Sequence, residues 1–159
     1  MNKLKWIILF FICFACLGYF REFFFVHLNN IMYYKYYHRI PELSIPKLML
    51  FFDSFSYISL YYFKYIFTFL WAGLFLICNY FALKKFTNTV FLIKLLFIAY
   101  ALIIIIASVA MLYGCLINNR LQSNEYTISR WLLGIAQSPL ICLILLASEK
   151  LYNKSIKNV

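Results

Sequence analysis

Four long apolar stretches dominate the chain, and the segments between them carry most of the charges. They cover residues 4–20, 65–83, 95–117 and 131–147. A helix that rises about 1.5 Å per residue crosses a hydrocarbon layer of ~30 Å with ~20 mostly apolar residues. Each stretch reaches that length when its Tyr and Trp flanks are included. The pattern predicts one membrane domain with transmembrane helices at residues 4–22, 60–83, 93–117 and 128–148.

The segment 23–55 differs from these spans because aromatic, charged and proline residues are mixed in it. Rings with polar tips suit the headgroup layer of a membrane. Pro41 and Pro46 disfavour helix in the residues before them. We expect this interfacial segment to extend the first helix and then to lie along the outer membrane surface. The later links are short, so neighbouring helices are antiparallel, and the predicted fold is an all-α integral membrane bundle of four helices.

Composition and charge support this class and orient it. The chain is 65% hydrophobic, whereas an ordinary soluble domain is about 45–50% apolar. The net charge of +10 does not indicate nucleic-acid binding, because the basic residues flank apolar runs and do not cover a soluble face. Four of the five acids lie on one side of the predicted spans, and the segments on the other side are rich in lysine. The positive-inside rule therefore predicts that both termini are cytoplasmic.

One candidate site is a polar cluster at the outer membrane boundary. Arg130 opens the fourth predicted span at the same level as Arg21, Glu22 and Asp53, and His27 lies nearby in the first link. An arginine is permanently charged and can hold a carboxylate at two points. The sequence does not distinguish among its possible partners, which are Glu22 or Asp53 within the chain, a lipid phosphate, or a substrate carboxylate.

A second candidate lies near the centre of the fourth predicted span, at Gln137, Ser138 and Pro139. A proline lacks the backbone N–H and leaves a carbonyl one turn earlier without its usual partner. The neighbouring amide and hydroxyl can bond such freed groups or reach another helix. We interpret the tripeptide as a helix kink and packing contact. The alternative is a local opening that shapes a substrate groove.

Motifs for catalysis, metals and cofactors are not found. His27 and His38 form no H-x-x-x-H or H-E-x-x-H pattern. The five cysteines lie in or beside apolar runs, where free cysteine behaves as a small hydrophobe. Cys115 is the one cysteine near the outer end of a span, and nothing in its spacing demands a Cys–His pair. We therefore expect no catalytic residue, no metal and no cofactor.

Several short motifs follow one another in a characteristic order. After a basic and then apolar start, the chain carries Arg21-Glu22-Phe23 with further aromatics, Pro41-Glu42-Leu43 with Lys47-Leu48, and Tyr126 to Arg130 leading to Pro139. In this order, over nearly its whole length, the chain resembles the exosortase-F-associated proteins of Bacteroidetes. The resemblance implies a non-enzymatic accessory role in a membrane protein-sorting system of the bacterial inner membrane. The implied partner is an exosortase-like membrane protein.

Two other function classes stay open from the sequence. A small transport or channel subunit would need a polar stripe along a span, which only Gln137 and Ser138 approach. A membrane-embedded enzyme acting at the outer face would use Arg130 and His27.

Overall fold

The computed structural model describes residues 3–38, 43–87, 89–117 and 124–157, and within these ranges the chain is helical apart from short turns, with no strand. The helices are α1 (Lys3–Tyr37), α2 (Leu50–Asp53), α3 (Tyr57–Phe86), α4 (Val90–Ile117), α5 (Asn124–Ala136) and α6 (Leu140–Lys157), with a 3-10 turn at Lys47–Met49 before α2. The all-helical prediction is confirmed. Pro41, Glu42 and the link 118–123 lie outside the described residues, as do the side chains at 111, 114–117, 124–127 and 153–157.

Among the described residues, three helices, α1, α3 and α4, are long and apolar enough to cross a membrane. The predicted spans 4–22, 60–83 and 93–117 lie within them. The fourth predicted span, 128–148, falls on two helices, Ile128–Ala136 and Leu140–Tyr152, whose axes are bent by 63° at the break between them. Counting this bent pair as one span brings the number of candidate spans to four.

The first helix continues well beyond the predicted span. α1 has 35 residues, which makes it about 52 Å long, and it contains no proline to interrupt it. It ends at Tyr37, and the next residue, His38, has a left-handed backbone with φ of 51°. A residue in this conformation commonly terminates a helix because it turns the chain away from the helix axis.

The residues group into two compact units. The aromatic unit comprises Ala15–Trp71, and the bundle unit comprises Met1–Phe14 together with Ala72–Val159.

In the bundle unit, small and apolar side chains form the core between α3, α4, α5 and α6. Leu83, Leu96 and Ala136 are fully buried there. α4 and α5 approach closely where Ser129 donates its hydroxyl hydrogen bond to the carbonyl of Ala107, at 2.9 Å. Small residues permit such an approach between helices in lipid.

The far part of α6 is attached to the turn between α3 and α4. The carboxylate of Glu149 accepts hydrogen bonds from the hydroxyls of Thr87 and Thr89, the latter at 2.9 Å. Thr87 is buried and itself caps the turn by accepting the Thr89 backbone N–H at 3.1 Å. Glu149 therefore has a structural role at this turn.

In the aromatic unit, the segment after α1 folds against the helices and forms a second core. Leu28, Ile31, Met49 and Leu60 are fully buried in it. Aromatic rings surround these residues; for example, Phe24 lies with its ring centroid 4.5 Å from that of Phe67. Residues 43–56 are thus held by packing.

Candidate functional site

Buried polar groups converge at the break between α5 and α6. Asn79 of α3 donates hydrogen bonds from Nδ2 to the hydroxyl oxygen of Tyr100 in α4, at 2.7 Å, and to the backbone carbonyl of Ser138 in the break, at 3.1 Å. Asn79 is 0% exposed and Tyr100 is 2% exposed. One amide therefore links α3, α4 and the break. We call this group, with Gln137 and Pro139, the polar break.

Ser138 compensates for the missing N–H of Pro139. Its hydroxyl donates to the carbonyl of Ile135 at 2.7 Å, the group that a residue at position 139 would normally bond in a helix. The same oxygen accepts a hydrogen bond from the backbone N–H of Leu140 at 3.3 Å. The first regular helical hydrogen bond of α6 runs from the N–H of Leu143 to the carbonyl of Pro139, at 3.0 Å. Both helix ends at the break are thus capped by a side chain.

Gln137 completes the end of α5. Its side chain is 4% exposed, and its backbone N–H donates to the carbonyl of Leu133 at 3.0 Å. The two helices meet at a bend of 63°, and the break between them is the predicted tripeptide Gln137, Ser138 and Pro139.

Asn79 and Tyr100 were not among the candidates drawn from the sequence. The signal was present, because an asparagine inside an apolar run is costly and therefore informative. The amide also has an unpaired acceptor, because Asn79 Oδ1 is buried and accepts no hydrogen bond from the described residues. A buried acceptor without a donor costs about 1–3 kcal/mol.

The members of the predicted outer polar cluster on α1 belong to the aromatic unit. Arg21 is half-buried and Glu22 is exposed. The ring of His27 packs edge-on against Phe23, with centroids 4.7 Å apart. Its Nδ1 is buried and has no hydrogen-bond partner among the described residues. The histidine is therefore set in an aromatic environment.

Asp53 pairs with Lys35, which is not a member of the predicted cluster. Lys35 Nζ lies 3.4 Å from Asp53 Oδ1 and donates to the Asp53 carbonyl at 2.7 Å. The two side chains are 22% and 37% exposed, so the pair contributes about 0–1 kcal/mol. Arg130 lies on α5 in the bundle unit, and its side chain is exposed.

In the described part of the chain, no three His, Cys, Asp or Glu side chains come together as metal ligands. The polar break offers hydrogen-bonding groups and no charged side chain, which suits helix packing better than acid–base chemistry. Comparison with family models, curated proteins and solved structures found no match to this chain.

Proposed function

We propose that this protein is a non-enzymatic subunit of a membrane complex, a bundle of four spans that binds another membrane protein through α1. The observation that carries the proposal is the poor burial of this helix. In the most apolar window of α1, 0% of the residues are buried within the chain, against 28% for α3 and 22% for α4. Much of the surface of this candidate span is therefore not covered by the rest of the chain.

The surface of α1 has features that suit a partner helix. Ala15 is exposed, and apart from the chain neighbours of Gly18 and the nearby α1 backbone no atom lies within 4 Å of the position that a Cβ atom on Gly18 would take. Helices in lipid associate by close packing, and small residues let their backbones approach. Ala15 and Gly18 lie three residues apart and therefore share one face of the helix, which we call the α1 patch. A large exposed side chain, Tyr19, lies beside this face and is 69% exposed.

The buried polar groups support a binding role over a catalytic one. Asn79 donates to the Tyr100 hydroxyl and to the backbone carbonyl of Ser138, and Ser129 bonds α5 to α4. These side chains join the helices of the chain itself. The resemblance to exosortase-F-associated proteins supplies the proposed partner, an exosortase-like protein of the bacterial inner membrane.

Site-specific photo-crosslinking tests the proposal. A photoreactive residue at Tyr19 should give an adduct with one membrane protein, identified by mass spectrometry. The matched control places it at Ile105 of α4, which is 58% exposed and should give lipid adducts only. Gly18→Leu should abolish the adduct while the protein accumulates normally. Equal adducts from both positions, or an adduct that Gly18→Leu leaves unchanged, would contradict the proposal.

We further propose that both termini are cytoplasmic. The argument is the excess of lysine on one side of the four spans, at positions 3, 5, 84, 85, 94, 150, 154 and 157 against Glu149 alone. A periplasm-active phosphatase fused after Val159 should be inactive, and a fluorescent protein that matures in the cytoplasm should fluoresce there. Strong phosphatase activity would place the C-terminus in the periplasm and contradict the proposal.

A further inference from the structure

Two cysteines far apart in sequence face each other in the bundle unit. The Sγ atoms of Cys13 in α1 and Cys78 in α3 lie 3.6 Å apart, and both thiols are free. Neighbouring contacts show that this pairing belongs to an extended antiparallel register. The contacts join Lys85 to the ring of Trp6, Phe86 to Phe10, and Phe75 to Phe14.

The register places both thiols well inside the spans. Cys13 lies ten residues after Lys3 and Cys78 eight residues before Phe86, which correspond to about 15 Å and 12 Å of helix. Both side chains are partly exposed at the helix surface. A reagent dissolved in lipid can therefore reach them, whereas a charged, water-soluble one has to cross the headgroup layer.

We propose that Cys13 and Cys78 form a redox-active dithiol that a lipid-soluble quinone oxidises to a disulfide. Two S–H bonds break and one S–S bond forms, and the two electrons and two protons convert the quinone to its quinol. All reactants and products are uncharged, which suits an apolar environment where an ion would be costly. The sulfurs approach from 3.6 Å to the bond length of about 2.05 Å.

The other cysteines provide internal controls. Cys16 lies one turn further along α1 and is exposed, and Cys142 is buried in the bundle core. The proposal assigns neither of them a role in the disulfide. It is also independent of the proposed partner, because it concerns two helices of the same chain.

The test uses the full chain in lipid nanodiscs with a fully substituted short-chain ubiquinone, whose ring cannot add a thiol. The wild-type chain should lose two of its five thiols, counted by maleimide labelling in denaturant, and a peptide map should show Cys13 linked to Cys78. Cys13→Ser and Cys78→Ser should each abolish this linked peptide, while Cys16→Ser and Cys142→Ser should retain it.

The peptide map of the wild-type chain decides the proposal even where a variant fails to fold. Retention of all five thiols under quinone would overturn it, and so would a disulfide through Cys16 instead of Cys78. Oxidised glutathione, which is charged and water-soluble, should react far more slowly than the quinone. Equal rates for the two oxidants would contradict access through the lipid.

Discussion

Asn79→Ala is expected to destabilise the bundle unit by about 1–3 kcal/mol, because it leaves two buried polar groups without their donor and removes only one unpaired acceptor, Asn79 Oδ1. The change removes the Nδ2 donor that bonds the Tyr100 hydroxyl and the Ser138 carbonyl. Equilibrium unfolding of the purified protein in mixed micelles measures the loss. Asn29→Ala on α1 is the matched control, because Asn29 is exposed and exposed substitutions usually change stability by less than about 0.5 kcal/mol.

The two bonds of Asn79 can be separated by a double-mutant cycle. Tyr100→Phe removes one acceptor and leaves the bond to Ser138 in place. The coupling free energy between Asn79→Ala and Tyr100→Phe should be about 0.6 kcal/mol, the average for hydrogen bonds between membrane helices. An effect of Asn79→Ala no larger than that of Asn29→Ala would show that the polar break is not held by this amide.

The helical segments of this chain can be predicted from its sequence, because a long apolar run is a local property of the chain. A proline in such a run also predicts a local effect, and Pro139 lies where the structure bends by 63°. The partners of the break are not a local property. Asn79 is separated from Tyr100 by 21 residues and from Ser138 by 59. Such contacts depend on the register between helices, which hydropathy does not encode.

The acidic residues show the same limit. The sequence suggested Asp53 as one possible partner of Arg130, because both residues are predicted to lie at the outer membrane boundary. In the structure Asp53 pairs with Lys35, because α1 remains helical as far as Tyr37 and carries Lys35 to the end of α2. The sequence predicts that residues 23–55 extend the first helix and then lie along the membrane surface. It does not reveal the core that α1 and the following turn build around Met49.

Met49→Ala is expected to loosen the aromatic unit more than any exposed substitution in the same segment. Met49 is 0% exposed and packs with Leu28 and Leu60, and truncating such a side chain to alanine costs about 2–5 kcal/mol. The cost falls on the segment 43–56, which is held against the helices by this core. Trypsin cleavage after Lys47, which is exposed, reports on local opening of that segment.

Leu48→Ala is a control that lies one residue away, because Leu48 is 76% exposed. A loss of 2 kcal/mol in the free energy of opening raises the open population about 30-fold, since each ~1.4 kcal/mol is a factor of ten. Where opening and closing are fast, the cleavage rate follows that population. Met49→Ala should therefore be cut about 30-fold faster than wild type or more, with Leu48→Ala near wild type. Equal rates for the two variants would mean that Met49 does not hold the segment.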